Sequence, residues 1–314
     1  MQKIPLQDVR ELKVRARELA GSRRPAVVVA GADDPVTLAS VRDALAAGLV
    51  RAVLVGEKDR IEQLAGSGAL EFDGSEVVDC SADEAIPRSL DLLRDRGFDL
   101  LMKGRVKTGD LLGAFLDHSR GLRTERILSH LGVFTAPGRP GLMIITDGGL
   151  NLAPDLEHKK DILLNAVEVA HRLGLETPRV AVLAHVEKSP HHDLPMIRHA
   201  EELTRLNREG LLAGCLVEGP LAFDNAVSEA AAGRKGISGP VAGRADILLA
   251  NEIGMGNVIY KAVQSWLDGV IAGIVVGGKV PVITPSRADS EESKLAAIAL
   301  GVILSSPADG GYTT

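Results

Sequence analysis

An α/β/α protein with mostly parallel sheets is what this chain predicts, and three observations carry the prediction. Apolar β-branched runs alternate with helically spaced runs almost throughout, the pattern of βαβ units. Aromatic residues make up only 3% of the chain, so Ala, Val, Leu, Ile and Gly do the packing, as in strands buried on both faces. The length of 314 residues gives room for about two domains.

The first strand is expected at 26–30, and 35–48 follows with helical spacing. A strand at 52–55 precedes a helix at 59–64, 76–79 precedes 82–96, and 99–102 precedes 108–118. Two apolar runs, 127–134 and 142–146, then lie close together, joined by the turn at 136–141. This hairpin interrupts the β/α alternation and marks the expected domain crossing. Alternation resumes with a helix over 155–173, whose Leu163, Val167, Ala170 and Leu173 share one face. Further strands are expected at 180–184, 214–217, 247–250, 273–276 and 280–284. Gly277-Gly278-Lys279 reads as a turn between the last two, and a final helix covers 294–304. The domains so drawn are 1–134 with 289–314, and 135–288.

Composition narrows the function. The net charge of −6 gives no general basic field, so no nucleic-acid partner is expected. Cys80 and Cys215 are the only cysteines, which makes no disulfide framework and fits a reducing compartment. The start, Met1-Gln2-Lys3-Ile4-Pro5, lacks a signal-peptide apolar region, and no stretch is apolar enough to span a bilayer. A cytoplasmic protein without membrane attachment is expected.

In parallel sheets, ligands bind outside the carboxyl ends of the strands. The residues just after each strand are therefore the candidates. Ser286-Arg287-Ala288-Asp289-Ser290 joins a strand to a helix and brings a hydroxyl, a guanidinium and a carboxylate to a helix N-terminus. Amide N–H groups there favour anions, and an arginine fork suits phosphate or carboxylate. The same residues also read as a plain helix start, with Asp289 as cap and Glu292 completing a capping box. Lys103-Gly104-Arg105-Val106-Lys107-Thr108-Gly109-Asp110 pairs three cations with two glycines at another helix start. Thr108 or Asp110 would cap that helix in the plain reading. Asp147, with Gly148, Gly149 and Asn151, follows the strand at 142–146; it reads either as a polar ligand site or as turn chemistry. Asp224 follows Glu218-Gly219-Pro220 and could be an N-cap. Gly254 and Gly256 permit close backbone approach.

Other chemistries find little support. No Walker A loop and no G-x-G-x-x-G dinucleotide fingerprint is present. No G-x-S-x-G elbow appears. His191-His192-Asp193 lacks metal-ligand spacing. His130, after Ser129 in an apolar run, reads as a structural histidine. Neither cysteine has the electropositive setting of a reactive thiol.

Together these loops resemble one family, the phosphate acetyl/butyryl transferases, and most closely its butyryl branch. The resemblance rests on Leu101-Met102-Lys103-Gly104 with Thr108, Leu128-Ser129-His130 with Val133-Phe134, and Ile145-Thr146-Asp147 with Asn151. It continues through Asn165-Ala166-Val167, the stretch from Glu218 to Asn225, and the stretch from Val241 to Asp246. Gly256-Asn257 with Tyr260-Lys261, and Ser286 to Ser290 with Lys294, complete it in family order.

The resemblance implies an isocitrate/isopropylmalate dehydrogenase-like fold of two α/β/α domains, with the active site in the interdomain cleft. It implies reversible acyl transfer: acyl-CoA plus inorganic phosphate gives acyl phosphate plus CoA. Phosphate butyryltransferase is the first expectation. Phosphate acetyltransferase, or a non-catalytic CoA- or anion-binding module on the same scaffold, is the alternative. Coenzyme A enters as a substrate, with no metal or NAD expected, and a homodimer or higher homo-oligomer is usual in the family. The resemblance implies Ser286 and Arg287 as catalytic residues, and Asp289, a carboxylate of the same corner, is the candidate general base with helix capping as its competing role. The implied substrate-binding residues are Lys103, Gly104, Thr108, Ser129, Asp147, Asn151, Asp224, Asn257 and Lys261. Where the acetyl branch carries an aspartate seven residues after its serine, this chain has Ser293.

Overall fold

A computed structural model describes residues 5–65, 75–185, 194–286 and 288–307. In chain order the elements are α1 (Glu11–Ala20), β1 (Ala26–Ala30), α2 (Pro35–Ala46), β2 (Arg51–Gly56), α3 (Lys58–Ala65) and β3 (Ser75–Asp79). Next come α4 (Ala85–Arg96), β4 (Leu100–Lys103), α5 (Thr108–Phe115), β5 (Ser129–Thr135), β6 (Leu142–Thr146) and α6 (Leu156–Arg172). Then follow β7 (Arg179–Leu183), α7 (Pro195–Arg208), β8 (Leu216–Leu221), α8 (Phe223–Val227), α9 (Glu229–Arg234) and β9 (Ile247–Leu249). The chain closes with α10 (Ile253–Trp266), β10 (Ile271–Val276), β11 (Val282–Ile283) and α11 (Glu291–Ser305).

The chain forms two compact units. One comprises residues 10–126 and 272–314, the other 1–9 and 127–271. These bounds differ from the expected 134/135 and 288/289 crossings. The physical reason lies in strand pairing. β5 pairs antiparallel with β6, Leu131 facing Thr146, so both strands stay in one unit. β11 pairs parallel with β4, and β10 pairs antiparallel with β11, so both belong with β4. Val9 also donates its N–H to Thr135 Oγ1 at 2.8 Å, which ties the segment just before α1 to the unit of β5.

In the unit of residues 10–126 and 272–314 the strand order is β3-β2-β1-β4-β11-β10. All pairs are parallel except β10 with β11. All five residues of β1 are buried, as expected for a strand covered on both faces. The edge strand β3 has none that is fully buried. The order runs outward from β1 to β3 and then returns to β4. With right-handed crossovers, this reversal puts α2 and α3 on one face and α4 on the other. The switch lies between β1 and β4, where open sheets hold ligands at their carboxyl ends.

In the other unit the order is β5-β6-β9-β7-β8, parallel apart from β5 with β6. Its core joins Phe134, Met143, Ile145, Leu248, Tyr260 and Ile271. β8 extends to Leu221, so Glu218-Gly219-Pro220 lies within a strand and not in the loop after it. The glycine-containing stretch at 253–261 is the start of α10. Among the described residues, no helix is long and apolar enough to cross a membrane.

Candidate active site

A cavity of about 480 Å³ opens at the carboxyl ends of β1, β4 and β11, at the strand-order switch. Three segments line it. Asp34, Val36 and Thr37 come from the start of α2. Lys103 to Thr108 come from the β4–α5 loop, and Pro285, Ser286 and Lys294 from the β11–α11 corner. Lys103, Gly104, Thr108 and Ser286, read from different loops of the sequence, thus share one wall system.

Close backbone approach builds this cavity. The N–H groups of Gly104 and Arg105 donate to the carbonyls of Ala30 and Gly31 at 2.9 and 2.7 Å. A Cβ on Gly104 would lie 2.1 Å from the Gly31 carbonyl oxygen, so only glycine lets the two strand-end loops meet. Lys103 closes the turn locally, its Nζ donating to the Gly104 carbonyl at 3.1 Å. The N-cap of α5 is Lys107, and no side chain caps the helix there. The expected caps, Thr108 and Asp110, instead lie in its first turn. The first N–H groups of α5 have no intrahelical partner and make a favourable place for an anion. α2 differs, because Asp34 caps it through Thr37 N–H at 2.8 Å and Thr37 Oγ1 at 2.7 Å.

At the β11–α11 corner the division of labour differs from the sequence reading. Ser290 is the N-cap of α11, accepting from Ser293 N–H at 3.1 Å. Asp289 accepts the N–H of Ser286 at 2.7 Å, so its carboxylate folds the turn and does not cap the helix. Glu292 pairs with Arg10 at 2.9 Å and completes no capping box. Ser293 is 1% exposed and meets Ser290 Oγ at 3.0 Å. Ser286 Oγ accepts from Ala288 N–H at 3.3 Å, which leaves its O–H hydrogen able to donate into the cavity. Lys294, which follows the Ser286–Ser290 motif in the sequence, lines the cavity, is buried, and donates to the Asp289 carbonyl at 2.5 Å. A cation inside an otherwise apolar helix was its sequence signal. Arg287 lies outside the described residues.

The remaining candidates lie in the other unit. Asp147 is buried and accepts four hydrogen bonds, from the N–H groups of His130, Gly149 and Leu150 and from Asn151 Nδ2. Its carboxylate is thereby a turn organiser. Asn151 also donates to the Leu128 carbonyl at 2.9 Å. Ser129 is fully buried and accepts from Asn165 Nδ2 at 2.9 Å. Asn257 joins this network by donating to the Gly148 carbonyl at 3.1 Å. Gly256 lies beside it, where a Cβ would come within 2.1 Å of the Asp147 carbonyl oxygen. Asp224 is not an N-cap. Ala222 holds that position, and Asp224 pairs with Lys235 at 3.1 Å. Lys261 donates to Gln264 Oε1 at 2.9 Å and sits 5.3 Å from the Tyr260 ring centre.

The same unit holds a buried polar cluster that the sequence reading missed. Lys159 is 2% exposed, with Nζ 2.6 Å from Asn251 Oδ1 and 3.0 Å from His199 Nδ1. Burial pushes the lysine down to about 8, and the His199 imidazole is lowered by burial and then by Lys159. Its signal was a lysine in the apolar stripe of Ile162, Leu163 and Ala166.

Both thiols are poor nucleophiles. Burial pushes Cys215 up to about 11, and burial with nearby Glu84 and Asp79 raises Cys80. Among the described residues, no group of three His, Cys, Asp or Glu side chains could hold a metal ion. His191, His192 and Asp193 lie outside the described residues.

Residues 90–302 match the family model described as "Phosphate acetyl/butaryl transferase". The chain belongs to this phosphate acetyl/butyryl transferase family. It is 38% identical to the phosphate acetyltransferase of Thermotoga maritima, over 91% of this chain and 97% of that one. It is 39% identical to the phosphate butyryltransferase of Clostridium acetobutylicum, over 93% of this chain and 96% of that one. Among solved structures, a branched-chain phosphotransacylase from Enterococcus faecalis superposes with a TM-score of 0.78 at 30% identity. That match covers 90% of this chain and 99% of the other. The family's dehydrogenase-like α/β fold is therefore the fold of this chain.

Proposed function

We propose that this chain is a phosphate acyltransferase that moves a short-chain acyl group reversibly between coenzyme A and inorganic phosphate. The observation that carries the reading is the cavity at the β1/β4 switch, where Ser286, Lys103, Lys294 and the uncapped start of α5 converge. Family membership supports the same chemistry. Butyryl transfer is our first assignment and acetyl transfer the second. The relatives named for the two activities stand at 39% and 38% identity, so the pocket must decide.

In the direction of acyl-CoA formation, the CoA thiolate attacks the carbonyl carbon of the acyl phosphate. The carbonyl π electrons move onto oxygen, then return as the C–O bond to phosphate breaks. In reverse, a phosphate oxygen attacks the thioester carbon and the C–S bond breaks, releasing thiolate. A free thiol has a pKa of about 8.5, so nearby cations raise its reactive fraction at neutral pH. Lys103 and Lys294 supply that field. Ser286 donates its O–H to the oxyanion or the sulfur, and Arg287, next to it in sequence, holds phosphate oxygens. Asp289 acts as a positioning residue through its bond to Ser286 N–H. Gly104 and Thr108 line the anion side. Ser129, Asp147, Asn151 and Asn257 keep the other unit's strand-end loop in shape, while Asp224 and Lys261 remain substrate-contact proposals. A homodimer in the cytoplasm, using CoA and phosphate without NAD, completes the proposal.

The test is thiol release from acyl-CoAs of two to six carbons with and without phosphate, for the wild type and Arg287→Ala. The expected outcome is phosphate-dependent release that peaks near four carbons and collapses in the variant with the fold retained. Near-wild-type rates in Arg287→Ala would remove that residue's role. Release that ignores phosphate would remove the function.

A further inference from the structure

The β4–α5 loop carries a guanidinium, that of Arg105, to which the acyl-transfer steps assign no part. Arg105 lines the cavity, and its backbone N–H is held by Gly31 at 2.7 Å. Its NH1 lies 3.2 Å from Asp33 Oδ2, and Arg60 Nε reaches the same oxygen at 3.4 Å. The Asp33 side chain is only 4% exposed, whereas that of Arg105 is 43% exposed. Asp33 Oδ2 is buried and makes no hydrogen bond among the described residues. The two guanidinium groups therefore answer it by charge alone, and a buried carboxylate without them would be costly. Such an ion pair anchors Arg105 without consuming its directed N–H donors. A guanidinium has five of these in a planar fork matched to phosphoryl oxygens. The cavity also holds Lys103, Lys107 and Lys294, while Asp34, the one carboxylate among its described lining residues, is engaged in capping α2.

We propose that Arg105 binds a phosphoryl oxyanion in this cavity and that buried Asp33 is its positioning residue. The proposal rests on the acyltransferase reading above. The oxyanion is either inorganic phosphate or a phosphate of coenzyme A, and both share the chemistry the fork recognises.

The test uses the full chain and steady-state thiol release, varying phosphate and butyryl-CoA separately. Arg105→Met should raise one KM by about tenfold or more, the loss of a charge-assisted contact, with Arg105→Lys recovering part of it. A raised KM for phosphate identifies inorganic phosphate. A raised KM for butyryl-CoA, with butyryl-pantetheine unaffected, identifies the CoA phosphates. Asp33→Asn should reproduce the same KM change, and the double variant should be no worse than Arg105→Met alone. Wild-type turnover with both KM values of Arg105→Met within twofold overturns the proposal. Additive losses in the double variant, or failure of both Asp33→Asn and Asp33→Glu to fold, assign Asp33 to the core and overturn its positioning role. A wild type inactive with every acyl-CoA would sink the acyltransferase reading instead. Calorimetric titration of inorganic phosphate and of CoA into wild type and Arg105→Met would then decide the Arg105 contact by itself.

Discussion

Ser286 owes its place on the cavity wall to Asp289, which accepts its N–H at 2.7 Å. Ser286→Ala should keep the Asp289 bond and remove the hydroxyl, both as a donor into the cavity and as the acceptor of Ala288 N–H at 3.3 Å. Turnover should fall by about 100-fold or more, the usual cost of losing one oxyanion donor. A drop below fivefold, measured with saturating substrates, would assign the oxyanion to another group. Asp289 and Ser290 show what local sequence leaves open. Both are good N-caps, and neighbouring positions compete for one helix start. Only the tertiary turn decides that Ser290 caps and Asp289 folds the corner. Lys159 offers a residue-scale test on pH. Its pKa falls from 10.5 to about 8 in the folded chain. Between those values the unfolded chain keeps a proton that the folded chain has lost. Stability from this group therefore rises with pH across that window, and the burial penalty is fully present below it. Wild type should gain urea resistance relative to Lys159→Met from pH 8 to pH 10. Parallel profiles for the two proteins would contradict the assignment.

The strand-end loops are the elements on which function depends. Their strands were legible because β-branched runs buried on both faces have few other readings. The loops' glycines were legible as permission for close approach, but not as to what approaches. Gly104 meets Gly31, and Gly256 meets Asp147, partners remote in sequence. α10 was hidden for the same reason, since Gly254 and Gly256 argue against a helix by propensity. Packing against the 147–148 turn and the Glu252 cap, which accepts from Gly254 and Met255, outweigh that cost. Gly104→Ala should force the β1 and β4 loops apart at a cost of about 1–3 kcal/mol, the range for overpacking, and lower turnover with it. Gly109→Ala, where a Cβ meets nothing within 4 Å, should be neutral or stabilising. Equal urea midpoints for the two variants would show that the loop contact is dispensable. Ser290→Ala should lose about 1 kcal/mol of stability as an uncapped α11, by the same titration.

At the scale of the whole molecule, the reversal of strand order explains why one cavity gathers residues scattered from Asp34 to Lys294. Alternation of strands and helices predicted the architecture. It did not predict the unit boundaries, because β10 and β11 return to pair beside β4 only once the sheet has formed. The candidate site was half legible. Lys103, Gly104, Thr108 and Ser286 meet in the cavity, whereas Asp147, Asn151 and Ser129 spend their polar atoms on their own unit. Sequence shows which residues end a strand, but not whether another loop will claim their hydrogen bonds. One reaction joins the cations and hydroxyl of this cavity in our proposal: acyl transfer between CoA and phosphate. Phosphorus NMR of the full chain with butyryl-CoA and phosphate, run beside a thiol assay, tests it most directly. One acyl phosphate should form for each thiol released, with both absent when phosphate is omitted. Thiol released without acyl phosphate, or no release from any acyl-CoA of two to six carbons, would contradict it.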